Sequence, residues 1–215
     1  FGIAHKGGWR GGQAMPGGEV GDRGKDLYAE NLVPYSIGMS ACTSCGAHCR
    51  HRHLIREGKF GSFSGEGPEY GAISGIGMEL GNFDMESVVY LSDRCNRLGM
   101  DVTQLGYMIN FAMELYERGI IGNDYTGAPL RGGDIAAIQG LIEDIACRRG
   151  FGDLLAEGAY ALEKLPPETE KYLCLIKNMP AGPPGWGAGR SFAMAMGVAS
   201  LPGHVHRNRP GIDVL

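Results

Sequence analysis

The chain lacks an apolar run long enough to cross a bilayer, and no signal-peptide pattern opens it, so a cytoplasmic protein away from membranes is expected. Excess positive charge is missing too. The formal net charge is −4, where a nucleic-acid binder would carry a strongly basic face, so no nucleic-acid partner is expected. Cysteine is scarce: six residues, unevenly spaced, are too few for a disulfide framework, which points to a reducing compartment. The first residue is Phe1 rather than methionine, and Ile212-Asp213-Val214-Leu215 carries no terminating signal, so a fragment of a longer polypeptide is expected. There is no internal repeat. What the chain has in plenty is glycine. Its 37 glycines fall in loops and at helix ends, a distribution suited to backbone packed closely against something bulky. With 43% apolar and 20% charged residues the chain is globular, long enough for one large domain or two small ones.

Three of the six cysteines crowd into one stretch, Cys42-Thr43-Ser44-Cys45-Gly46-Ala47-His48-Cys49. Thiolates are the metal-binding form, and three side by side repel one another unless a cation sits between them. The stretch therefore points to a shared metal or an iron–sulfur cluster held by Cys42, Cys45 and Cys49, one ligand short of the usual four. His48, His51 and His53 lie close by and keep zinc open as an alternative. The basic run Arg50, His51, Arg52, His53, Arg56 suits an anionic centre or an acidic redox partner.

Along the chain, residues 1–24 read as Gly-rich loop and residues 25–32 as a short helix. The cysteine turn is expected to lead into a helix over residues 48–57, followed by a loop-rich stretch over 60–81. In that stretch Pro68 keeps Gly67 out of the helical region. Two carboxylates, Glu66 and Glu69, fall on the constrained loop, either as a functional acid or base or as solvated, salt-bridged groups. Helical periodicity then takes over. Asp84 caps a helix burying Val88, Val89, Leu91, Cys95 and Leu98 and ending at Gly99. Asp101, with Gln104, opens a second helix burying Leu105, Met108, Ile109, Ala112 and Tyr116. Asp134 caps a third, with Ile135, Ile138, Leu141, Ile142 and Ile145 inward and Gly150 stopping it. Asp153 is expected to cap a fourth over 154–165, and 171–176 to form one short strand. Residues 180–189 read as a rigid Gly/Pro loop and 191–199 as a small-residue helix. Cys95, Cys147 and Cys174 read as buried structural thiols. His204 and His206 stand in a Gly/Pro-flanked loop, where histidine can transfer protons.

Taken together, these segments resemble the tungsten-containing aldehyde:ferredoxin oxidoreductase family. The cysteine stretch is similar to its three-cysteine cluster motif, and Glu66-Gly67-Pro68-Glu69-Tyr70 to its Gly-Pro-Glu-Tyr-Glu signature. Cys95-Asn96-Arg97-Leu98-Gly99-Met100-Asp101 resembles its first pterin-contacting motif, Gly150 to Gly158 its G-x-G-D-L-L-A-E-G stretch, and Gly197 to Arg207 its active-site histidine segment, best matched by His206. The resemblance implies a mainly α chain: helical domains 2 and 3 of that fold, without its N-terminal β domain. A Gly-rich opening segment would span 1–40, a helical domain with the cysteine and pterin motifs 41–165, and the start of the last helical domain 166–215. It further implies a 4Fe-4S cluster on Cys42, Cys45 and Cys49, its fourth ligand lying past Leu215. A tungsten bis-pyranopterin (molybdopterin) would be contacted by Asn96, Gly99, Asp101 and Arg50, with Mg as a further ion. Glu69, Glu66 and His206 would be the catalytic candidates, the substrate a small molecule of the aldehyde or carboxylate type, and the partner ferredoxin or another iron–sulfur electron-transfer subunit, in an oligomer.

One departure stands out. The signature continues with glutamate after tyrosine, and this chain has Gly71, which enlarges the site and hints at a bulkier substrate such as a thioester; class II benzoyl-CoA reductases have a catalytic subunit of this family. The readings from other classes are a non-catalytic cluster-binding electron-transfer subunit and a zinc-stabilised interaction domain.

Overall fold

A computed structural model describes residues 21–180 except Ala47, and residues 194–200 except Met196. The 3-10 helix Gly21–Leu27 and the helical turn Ala29–Leu32 occupy the expected short helix. Three antiparallel strands follow: β1 (Ser36–Ser40), β2 (Arg50–Ile55) and β3 (Phe63–Glu66), in the order β1-β2-β3. The expected helix over 48–57 is thus a strand. Both edges of β2 are taken by neighbouring strands, which satisfy its backbone groups, while His53 and Ile55 turn inward with the two-residue period of a strand (1% and 3% exposed).

The stretch expected to be loop after β3 is instead a continuous helical run, Tyr70–Ala72, then a π-helical Ile73–Gly77, then a 3-10 turn Met78–Leu80. Residues 72–80 are all buried. A segment enclosed on every side has no polar face, so it shows no 3.6-residue pattern, and its glycines read as loop. They serve close approach: a β-carbon on Gly75 would sit 3.2 Å from the Val102 carbonyl oxygen.

The regular helices are α1 (Met85–Arg97), α2 (Val102–Glu117), α3 (Ile135–Ala146) and α4 (Gly150–Leu155). The first three start at the expected caps. Asp84 accepts from the Ser87 N–H, Asp101 from those of Thr103 and Gln104, and Asp134 from that of Ala137. Gly99 and Gly119 close α1 and α2 with positive φ (+72° and +67°). The fourth helix differs from expectation. Arg149 is its N-cap, and Asp153 lies inside the first turn, paired with Arg148 at 3.0 Å. Gly158 (φ +58°) breaks the run, and 3-10 helices Gly158–Lys164 and Pro167–Tyr172 follow. The expected strand over 171–176 shrinks to β4 (Leu175–Ile176), which pairs with β5 (Met179–Pro180).

Two cores result. One gathers Leu91, Cys95, Ile109, Met113, Ile138, Ile142 and Leu155; the other gathers Leu27, Ile55, Met78, Phe83, Val88 and Val89. Helix α1 feeds both and so fastens the sheet to the helical layer. Cys95 is fully buried, as expected, and burial pushes its thiol up to about 12. Cys147 and Cys174 are exposed, contrary to expectation: Cys147 is the C-cap of α3, where the inward stripe ends. Among the described residues no helix is long and apolar enough to cross a membrane.

Candidate functional site

The cysteine stretch is the connection between β1 and β2. The Cys45 N–H donates to the Cys42 carbonyl at 3.0 Å, closing a tight turn, and Ser44 and His48 take left-handed conformations (φ +63° and +45°) that non-glycine residues seldom adopt. The His48 ring nitrogen Nδ1 lies 3.0 Å from the Gly46 carbonyl. The thiols of Cys42, Cys45 and Cys49 are all exposed. As a donor set they fit the thiolate ligands of a cluster. Among the described residues no three His, Cys, Asp or Glu side chains stand close enough to share one metal ion, so the three thiols are carried by one loop but not drawn together around a common point.

Strand β2 carries the loop's far end directly to the two carboxylates. Arg52 pairs with Glu66 in the β2–β3 register, so Arg50, on the same face two residues earlier, reaches Glu66 diagonally and forms an ion pair with it. Both side chains are about two-fifths exposed, so the pair positions Glu66 more than it stabilises the fold. The loop after Glu66 is held from two sides. From the sheet, the Gly67 N–H donates to the His51 carbonyl (2.7 Å), and His53 Nδ1–H donates to the Gly67 carbonyl (2.9 Å). From α1, Asn96 Nδ2 donates to the Glu66 carbonyl (3.2 Å) and Arg97 donates to the Ser64 carbonyl (2.7 Å). Gly67, followed by a cis peptide to Pro68, stays out of the helical region at φ +97°, where a side chain would be strained.

The Glu66–Glu69 loop and the Asn96–Asp101 turn, apart in sequence, therefore form one surface, with the cysteine loop joining β2 at the same end, at Arg50. Asn96 touches the loop directly. Gly99 faces open space, and Asp101 spends its carboxylate on the cap of α2. Glu69 stands just before the helical turn Tyr70–Ala72, exposed; its carbonyl accepts from the Ile73 N–H (3.0 Å), but its carboxylate makes no hydrogen bond or ion pair among the described residues. His204 and His206 lie outside the described residues.

The structural roles of four residues escape the sequence reading: His53, Asp93, Arg97 and Thr103. The first could be found from the alternation His51-Arg52-His53-Leu54-Ile55, which has a strand's period. Asp93 is buried, pairs with Arg97 at 2.7 Å, and places Oδ1 2.0 Å from where a β-carbon on Gly65 would stand. Gly65→Ala is therefore expected to push Asp93 off its arginine and loosen α1 from β3. The cost should be about 2 kcal/mol, read as a fall of several degrees in Tm. A further buried acid, Glu79, lies between the cores, its Oε1 accepting from Ser74 Oγ–H at 3.1 Å and its Oε2 without a partner among the described residues. Burial pushes its carboxyl up to about 8, against the lowering effect of Ser74.

Comparison with known proteins places the arrangement. A family model described as aldehyde ferredoxin oxidoreductase, domains 2 and 3, matches residues 11–213. The tungsten-containing aldehyde ferredoxin oxidoreductase of Pyrococcus furiosus is 37% identical over 163 residues, covering 72% of this chain and 26% of the relative. From the same organism, the WOR-like subunit of an aliphatic sulfonate oxidoreductase is 33% identical, over 66% of this chain and 23% of the relative. The chain thus spans about a quarter of the length of these curated relatives. In fold, the BamBC active-site complex of benzoyl coenzyme A reductase, solved with 1,5-dienoyl-CoA, superposes with a TM-score of 0.65 at 19% identity, over 83% of this chain and 27% of that one. With the matched family model spanning nearly the whole sequence, the chain belongs to the aldehyde ferredoxin oxidoreductase family.

Proposed function

We propose that this chain is the cluster-bearing and pterin-contacting part of a cytoplasmic tungsten–pterin oxidoreductase acting on an aldehyde or carboxylate-type substrate. The observation that carries the reading is the joining of three family motifs through β2. That strand leaves the cysteine loop at Arg50, pairs with Glu66, and holds Gly67 from below while Asn96 holds Glu66 from the side. Cys42, Cys45 and Cys49 would hold a 4Fe-4S cluster; Asn96, Gly99, Asp101 and Arg50 would contact the pterin. When bound, the metal–pterin would supply two-electron chemistry and the cluster a one-electron route toward ferredoxin or a similar iron–sulfur carrier.

The chain's own groups then divide the remaining work. Glu66, tied to Arg50, keeps the loop in place. Glu69, exposed and unpaired among the described residues, is the carboxylate free to take or give a proton, a task His206 would share. A second reading, the catalytic subunit of a class II benzoyl-CoA reductase, is supported by the likeness in fold to the benzoyl coenzyme A reductase complex and by glycine standing at position 71 in place of the signature's second glutamate, although Thr103 occupies the space beside Gly71 that the sequence suggested was open. Assay of the intact enzyme with aldehydes and with aryl-CoA thioesters separates the two, and tungsten with iron in the purified protein separates both from a cluster-only subunit. Cys45→Ser in the full-length protein is expected to abolish the cluster's visible absorption. Unchanged iron content would remove the cysteines from the site.

A further inference from the structure

We infer that Thr103 is a substrate-contacting residue, its hydroxyl orienting the carbonyl oxygen of the substrate whose proton transfer Glu69 serves. The inference rests on the oxidoreductase reading above and adds a residue that none of the family motifs supplies.

The geometry begins at Gly71. Its φ is not left-handed, so the backbone does not require glycine there. Space does: a β-carbon on residue 71 would stand 3.0 Å from Thr103 Oγ1 and 3.7 Å from Glu69 Oε1. The Thr103 hydroxyl thus fills the volume where a side chain at position 71 would begin, and it fills it beside the one carboxylate of the loop that has no partner among the described residues. The two groups come from segments more than thirty positions apart, and both stand within 3.7 Å of the place a β-carbon on residue 71 would take.

Neither group is spent on the fold. The Thr103 N–H is taken by Asp101, which also takes that of Gln104, so the cap of α2 is complete without the hydroxyl. Among the described residues Thr103 Oγ1 has no hydrogen-bond partner, in contrast to Glu66, paired with Arg50, and Asp101, committed to the cap. The position is also rigid. A β-carbon on Gly75 would lie 3.5 Å from Thr103 Cα, so the threonine backbone is clamped against the π-helical segment, and its branched side chain has few rotamers. A fixed hydroxyl can donate to a carbonyl oxygen, and an adjacent carboxylate can accept or return a proton. The wall they form is neutral on the threonine side, which suits a carbonyl substrate and a product carboxylate better than a second acid would.

Thr103→Val keeps the shape and removes the hydroxyl; Thr103→Ser restores it. In the metal-loaded full-length enzyme, Thr103→Val is expected to raise KM for the aldehyde or thioester that the wild type turns over by about tenfold, the loss of one hydrogen bond, and Thr103→Ser to return it to within about threefold. Benzoate, standing in for a product carboxylate, should raise the Tm of wild type and Thr103→Ser more than that of Thr103→Val. Gly71→Ala should reproduce the KM defect by displacing the hydroxyl, and the double variant with Thr103→Val should be no worse than either single one. Equal kcat/KM in wild type and Thr103→Val, or a Tm loss shared by Val and Ser variants with KM unmoved, would overturn the assignment. A wild type that turns over neither class of carbonyl substrate would overturn the oxidoreductase reading, and this inference with it.

Discussion

Glu79→Gln is expected to remove most of the dependence of stability on pH between about 4.5 and 8. Glu79 is 1% exposed, and burial holds its carboxyl up to about 8 against an ordinary value of 4.5. Between those values the folded chain keeps a proton that the unfolded chain has released. The contribution is therefore fully present below pH 4.5, falls as pH rises, and is gone once pH passes 8. At about 1.4 kcal/mol per pH unit, the whole span is worth on the order of 5 kcal/mol. Glutamine keeps the shape and can still accept from Ser74, but it never has to lose a proton in the core. Denaturant unfolding of the intact protein at pH 5, 7 and 8.5 measures the effect. The wild type should weaken by several kcal/mol across the series, the variant much less, and the variant should be the more stable at pH 8.5. Parallel curves would show that Glu79 ionises without cost, and the buried position assigned to it would be wrong.

Gly106→Ala is expected to cost about 3 kcal/mol, although alanine is the better helix former by about 1 kcal/mol. The new β-carbon would stand 2.6 Å from the Gly75 carbonyl oxygen and 2.7 Å from its Cα, and both are backbone atoms with no rotamer to yield. Helix α2 would have to part from the π-helical segment Ile73–Gly77, and Thr103, one turn earlier on α2, would shift away from Gly71. The loss should show as a drop in Tm of several degrees. Gly140→Ala, in the middle of α3 with nothing within 4 Å, is the control and should be neutral or stabilising. If both substitutions behaved alike, the backbone contact between Gly75 and Gly106 would not exist.

The parts of the fold legible in the sequence are those fixed within one helical turn. Asp84, Asp101 and Asp134 cap their helices because a carboxylate and the N–H groups two or three residues on are neighbours whatever the rest of the chain does. The apolar stripes of α1, α2 and α3 follow from the same short range. The rule failed at Asp153, where Arg148 competes for the carboxylate and Arg149 takes the cap position. It failed more widely at β2 and at the run from Tyr70 to Leu80. A strand is stabilised by partners eight or more residues away, so the short alternation from His51 to Ile55 does not by itself select it, and a buried helical run, enclosed on every side, leaves no local period to read.

The candidate site divides along the same line. Residue types and spacing determined by themselves that three thiols would share one loop, that Gly67 and Pro68 would hold the next loop out of helix, and which family the motifs resembled. Which carboxylate is free was decided only in three dimensions. Glu66 and Glu69 are chemically alike and three positions apart, and nothing local separates them. The β2–β3 register sets Arg50 diagonally across from Glu66 and neutralises it, while Glu69 is carried past the end of the sheet to stand beside Thr103. Charge pairing depends on distance through space, and that distance exists only once the strands have paired.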